Sequence, residues 1–219
     1  MEHDKNPYAP EFEDLPEAIP VFPLAGVLLL PFGELPLNIF EPRYLKMIDD
    51  ALAGDRMIGM IQPQDKTNEK PPLYTIGCAG KITEFQETTD GRYLINLTGI
   101  NRFQVREELS VTTPYRQIRP DWLGFKNDIG ATDCLDIDRD HLTKMLSSYF
   151  SKQQLSCDWA KINEASDGRL ITCLSMICPF TPQEKQALLE AECCKTRAKI
   201  FMTMLEMAMH TGTAQSASY

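Results

Sequence analysis

Asp136, Asp138 and Asp140 repeat the alternate acidic positions that open a calcium-binding loop, and they are the first side chains whose spacing could do chemistry. Such a loop needs glycine at its sixth position for a sharp turn and a bidentate glutamate at its twelfth. The chain has His141 and Ser147 there. The aspartates therefore read as an acidic loop capping the helix after it, where carboxylates suit unpaired amides and the positive end of the helix dipole. Calcium is not expected. Cys78, Cys134, Cys157, Cys173, Cys178, Cys193 and Cys194 contain no C-x-x-C pair, and His3, His141 and His210 fall in a tail, at a helix start and at a helix end. Neither a tetrahedral zinc site nor a Cys-His nucleophile pair has the spacing it needs, so the thiols read as buried or spectator groups. A Gly-x-Ser-x-Gly elbow is absent. The stretch Gly77 to Ile82, GCAGKI, misses the spacing of a phosphate-binding loop and lacks the hydroxyl after Lys81. No catalytic residue, metal or cofactor is expected.

Binding is the remaining class, and composition narrows it. The formal net charge of -9 is the wrong sign for neutralising a phosphate backbone, so nucleic acid is not expected as a main partner. The longest apolar run, Val27 to Phe32, is far short of the roughly 20 residues that cross a bilayer, and Pro31 interrupts it. The N-terminal MEHDKNPYAPEFEDLPEA has neither the positive nor the apolar region of a secretory signal, and seven cysteines form no regular framework. A cytoplasmic protein with reduced thiols is the expectation. At 219 residues the chain is long enough to bury a core without a metal or disulfide scaffold.

The elements that must position any binding surface follow from periodicity. Residues 1–17 are acidic and poor in apolar groups, which reads as a mobile tail. Short strands are expected over 19–23, 27–30 and 35–40, and at Glu41-Pro42 the pattern turns helical, with Tyr44, Leu45, Ile48 and Leu52 on one face and Gly54 as the stop. Strand signals resume at 57–61, 74–84, 93–97, 103–109 and 115–118, with a hairpin turn at Asp90-Gly91 and a polar loop over 64–72. Several short strands with one inserted helix imply a small barrel or folded sheet. After Trp122 the period becomes helical: Leu142, Met145, Leu146, Tyr149 and Phe150 form one stripe, short helices follow near Trp159 and over 170–177, and Thr181-Pro182-Gln183-Glu184 opens another. From there one long helix is expected, lined by Leu188, Ala191, Ala198, Phe201, Leu205 and Ala208, with a disordered tail from Thr211. Met202, Met204, Met207 and Met209 surround that stripe; core packing is the expectation, a contact surface for another chain the alternative.

Three segments taken together, IPVFPLAGVLLLPFGELPLNIFEPRYLKMIDDAL, LYTIGCAGKITEFQETTDGRYLINLTGINRFQV and LITCLSMICPFTPQEKQALLE, resemble in order the signature regions of the N-terminal, substrate-binding domain of Lon proteases, including its free-standing bacterial form. The resemblance implies an α+β fold: a PUA-like β pseudobarrel with one inserted helix over 18–121, then a helical bundle over 122–210, between terminal tails 1–17 and 211–219. Phe40, Glu41, Pro42, Arg43 and Tyr44 look like the family's most recurrent segment, and are expected as a structural corner in which Phe40 and Tyr44 pack and Arg43 pairs with a carboxylate. The implied function is a non-enzymatic protein-binding module without ATPase or peptidase domains, which takes unfolded or apolar polypeptide segments and has an ATP-dependent protease as a candidate partner. Its binding surface is expected at Phe32 and Leu35 together with Trp122 and Phe125. A small-molecule or RNA-binding PUA-like protein is the alternative function, and a homo-oligomer is an open possibility.

Overall fold

Glycine and proline placement decides much of the barrel. In the computed structural model, which describes residues 6–65, 70–130, 137–154 and 158–210, six strands form one mixed sheet: β1 (Ile19–Pro23), β2 (Glu34–Ile39), β3 (Met57–Ile61), β4 (Ile76–Glu87), β5 (Tyr93–Glu108) and β6 (Arg116–Asp121). His3, Cys134, Asp136, Cys157 and the tail from Thr211 lie outside the described residues. β1 pairs parallel with β3 and antiparallel with β6; β3, β4 and β5 follow antiparallel, and β5 returns to β6. Five strands thus close a ring, which leaves no edge among them. β2 stands outside it, paired on one side with the first half of β5. Pro36 sits in this edge strand, where a missing ladder donor is tolerated.

The barrel interior is filled by Ile19, Val21, Ile61, Ile100, Phe103 and Ile118. Gly77 makes room for the largest of them: a methyl group there would strike the Phe103 ring and the Met60 carbonyl. Register shifts along β4 and β5 bend the strands enough to close the ring.

The parallel β1/β3 pairing requires a crossover, and the inserted helix α1 (Pro42–Ala53) lies on it, with proline at its start and Gly54 at its end. Five helices follow the barrel: α2 (Arg139–Lys152), α3 (Trp159–Glu164), α4 (Asp167–Ile177), α5 (Pro182–Glu190) and α6 (Cys194–His210). Asp138 caps α2 by accepting from the His141 amide. Thr181 and Glu184 form a reciprocal capping box at α5. Leu28, Leu30, Ile48 and Leu97 on the barrel side share one core with Leu146, Tyr149, Leu174, Phe201 and Leu205 of the helices.

Four elements differ from the sequence expectation. Residues 27–30 are no strand: Leu28, Leu29 and Leu30 are all buried, so the run is enclosed on every side and has no solvent face to alternate with. The strands expected at 93–97 and 103–109 are one, β5, which runs through Gly99, where a side chain would collide with the Leu30 carbonyl. Residues 6–17 are not loose. Asn6 Nδ2 donates to the Gly99 carbonyl at 3.0 Å, Leu15 is buried, and the Trp122 indole N–H donates to Pro16 O at 3.1 Å.

The long C-terminal helix is two helices, because Ala191 leaves helical geometry and two buried arginines take up the freed carbonyls. Arg102 Nη1 donates to Leu189 O at 2.9 Å and to Ala191 O at 2.5 Å, and Arg197 Nε donates to Leu188 O at 2.9 Å. Asp128 neutralises Arg102 through Nε at 2.7 Å and Nη2 at 2.9 Å. Gln62 adds a second tie between barrel and helices, donating to Pro182 O and Gln186 Oε1 while it accepts from the Gly26 amide.

Candidate functional site

Among the described residues no strand pairs with the outer edge of β2, and one face of β2, β5 and β4 lies open beside it. Helix α4 crosses this region instead, and between them lies an open groove of about 1090 Å³. Two backbone features build its closed end. Gly33 has no side chain, and a methyl group there would overlap Met176 of α4, so helix and strand meet closely. Phe32 before it holds φ of +64°, a conformation unfavourable for a bulky residue. It is fixed by hydrogen bonds from its own amide to Gly99 O and from the Gly33 amide to Leu30 O, both 2.9 Å, and the turn sets Phe32 in the groove wall.

The rest of the wall is unusually apolar for an exposed surface. Leu94 of β5 and Ile177 at the end of α4 are exposed on this wall, while Phe85 of β4, also exposed, stacks edge-on to Tyr93 at 4.9 Å between ring centres on the other face of the sheet. Glu34, Glu84 and Arg169 supply the charges along the groove. Cys173 lies in the wall, where burial, followed by the nearby Glu34 carboxylate, raises its pKa and keeps it protonated. It is a poor nucleophile there. Among the described residues no three His, Cys, Asp or Glu side chains converge as a metal site.

Of the four residues expected to form the binding surface, Phe32 lines this groove; the other three do not. Leu35 is half-buried against the main core. Trp122 packs edge-on against Phe103 at 5.9 Å, and Phe125 lies under the Arg102 guanidinium at 4.3 Å, both serving the barrel and its junction. The structure thus places Phe32 in the groove wall and Leu35, Trp122 and Phe125 outside it. In the corner segment Pro42 opens α1, Tyr44 packs on Phe22 at 4.2 Å, and Arg43 pairs with Glu41 at 2.8 Å. Phe40 does not pack: it is 63% exposed, because it follows the last β2 pairing and precedes the helix, beyond the reach of either core. The sequence reading missed Leu94 and Ile177, and only the first carried a usable signal. For Leu94 it is the polar pair Arg92 and Asn96 on the same strand face; Ile177, beside Met176 and Cys178, had none.

With this geometry in view, the comparisons are specific. The family model described as the ATP-dependent protease La (LON) substrate-binding domain matches residues 18–207. Lon protease 2 of Myxococcus xanthus is 26% identical over 198 residues, covering 88% of this chain and 24% of the relative; Lon protease of Flavobacterium johnsoniae is 28% identical over 200 residues, covering 85% and 23%. The chain thus spans about a quarter of the length of these relatives. Among solved structures, a Lon N-terminal domain protein from Xanthomonas campestris superposes with a TM-score of 0.60 at 18% identity, covering 85% of this chain and 97% of that one. The N-terminal domain of a Mycobacterium avium complex Lon protease gives 0.56 at 15% identity, covering 88% and 98%. These structures share the α+β architecture derived above. Since the family match takes in the barrel, the inserted helix and nearly all of the bundle, the chain belongs to the ATP-dependent protease La (LON) substrate-binding domain family.

Proposed function

We propose that this protein binds extended polypeptide segments non-enzymatically in the groove between β2 and α4. The observation that carries the reading is the convergence of Phe32, Leu94 and Ile177 on one open groove beside the outer edge of β2, with which no strand among the described residues pairs. Apolar pockets beside a free edge suit an extended chain, whose alternate side chains enter the pockets while its backbone follows the strand. Glu34 and Glu84 on the wall, and the net charge of -9, select a segment whose apolar residues are flanked by lysine or arginine. Such segments are exposed in partly unfolded proteins. Family membership supports a polypeptide ligand, and an ATP-dependent protease is the candidate recipient of what is bound. The cytoplasm is the compartment this reading implies. Affinity is weak, on the order of micromolar, because an open groove leaves little free energy after the ligand is ordered.

The test is fluorescence anisotropy with a labelled peptide of alternating leucine and lysine. Leu94→Ser and Ile177→Ser change exposed side chains and leave the fold intact, and each weakens binding by about tenfold, the loss of one buried leucine-sized contact. Unchanged affinity in both variants would place the ligand elsewhere. Equal binding of a peptide with glutamate in place of lysine would remove the charge selection.

A further inference from the structure

Strand β2 pairs on one side only among the described residues, and its neighbours reveal which of its backbone groups face outward. The Ile82 amide donates to Arg56 O at 2.8 Å, so Ile82 spends its backbone groups toward β3, and its partner Leu97 must spend its own toward β2. Gly99 keeps the same phase, its amide donating to Gly33 O at 2.8 Å. Leu35, Leu37 and Ile39, opposite Leu97, Ile95 and Tyr93, therefore bond inward to β5. Glu34, Pro36 and Asn38 alternate with them and turn their backbone groups away from the sheet. The outer edge thus offers the amides of Glu34 and Asn38 and the carbonyls of Glu34, Pro36 and Asn38, and no described residue hydrogen-bonds to any of these groups. Between the two amides stands Pro36, which has none.

An open strand edge is a template for any extended chain, a second copy of the protein included. Pro36 weighs the two unequally. A foreign strand that follows β2 forfeits one ladder bond, the one Pro36 cannot donate, and still gives its own amide to the Pro36 carbonyl. A second copy pairing edge to edge about a two-fold axis brings a second Pro36 into a ladder of the same length and forfeits two. Each copy also carries a net charge of -9, so two copies repel, whereas the lysine-bearing segment that suits the groove is attracted.

We propose that the outer edge of β2 takes the bound segment as an added strand and that Pro36 is its specificity-determining residue, reserving the edge for a foreign extended chain against a second copy. This rests on the peptide reading of the groove and adds to it the backbone ladder and the residue that selects its occupant.

The first test leaves the protein unchanged. Successive amides of an extended chain point to opposite edges, so the peptide of alternating leucine and lysine is made in two forms, N-methylated on every leucine or on every lysine. In anisotropy titrations one form loses affinity by at least about tenfold, because its methyl groups occupy the ladder, while the other, methylated on the solvent side, binds as the parent peptide does. The second test is Pro36→Val, which suits a strand and restores the missing donor. Peptide affinity rises by about threefold to tenfold, the worth of one backbone hydrogen bond, and sedimentation velocity shows a larger dimer fraction than in the parent protein. Equal binding of the two methylated peptides overturns strand addition, and an unchanged affinity or dimer fraction in Pro36→Val overturns the role of Pro36. With Leu94→Ser and Ile177→Ser still weakening the parent peptide, either result leaves the groove itself standing, whereas no loss in those two variants removes both readings.

Discussion

Phe32 carries the clearest conflict between a residue and its backbone. A positive φ costs a bulky side chain of order 1 kcal/mol or more, and the cost persists only where surrounding structure over-determines the conformation. Here three hydrogen bonds with Gly99, Leu30 and Gly33 fix the turn. Asparagine tolerates this conformation, so Phe32→Asn is expected to leave the unfolding free energy, measured by urea titration, within about 1 kcal/mol of the parent while peptide affinity falls. A large loss of stability would mean that Phe32 is a core residue, and the groove would lose its end wall. Residue type and context made Phe32 legible as a candidate in the sequence. Arg102 and Arg197 were not legible, because an arginine within a strand or helix looks like a surface charge until the distant carbonyls it serves, at 188, 189 and 191, are brought to it.

At the scale of elements, those with local chemical punctuation were readable and those set by distant packing were not. Pro42 and Gly54 bracket α1, and Thr181 with Glu184 announces α5. By contrast, the apolar stripe runs on from Leu188 to Leu205 across the break at Ala191, so periodicity alone cannot see that two helices are present. The break is a property of Arg102 on β5. Packing around α2 and the α4 to α5 connection has a measurable pH consequence. Burial first, then the neighbouring Cys178 and Glu184, pushes Tyr149 from 10.0 up to about 12. Cys178 is pushed from 9.0 up to about 12, again mainly by burial. Both groups keep their protons in the folded state after the unfolded chain has lost them. Their contribution to stability is complete below about pH 9 and is lost as pH rises toward about 12. The urea midpoint should therefore fall across that window, and Tyr149→Phe should flatten the part above pH 10.0. An identical pH profile for the variant would show that Tyr149 ionises as freely in the folded protein as in the unfolded one.

Across the whole molecule, the sequence made the α+β architecture and the family legible because the three quoted segments run through barrel and bundle in order. The groove was hidden, since its walls come from β2, β4, β5 and α4, far apart in the chain and joined only when the barrel docks on the helices. From that docking one cooperative unit is expected. The main core contains residues of both halves, and Gln62 and Arg102 cross between them. The two tryptophans report the halves separately: Trp122 packs on Phe103 of the barrel, and Trp159 lies 6.4 Å from Phe150 in the bundle. Trp159→Phe and Trp122→Phe variants of the otherwise unchanged chain should therefore lose their remaining tryptophan signal at the same urea concentration. Arg102→Met strands the Asp128 carboxylate, whose side chain is only 12% exposed, and frees the carbonyls at the α5 to α6 corner. A loss of about 3–5 kcal/mol is expected from breaking a buried pair in this way. Because the freed carbonyls belong to the helices, the Trp159 signal should move to lower urea than the Trp122 signal in that background. If the two transitions still coincided after Arg102→Met, the shared apolar core alone would couple the halves, and the arginine would serve only to shape the corner.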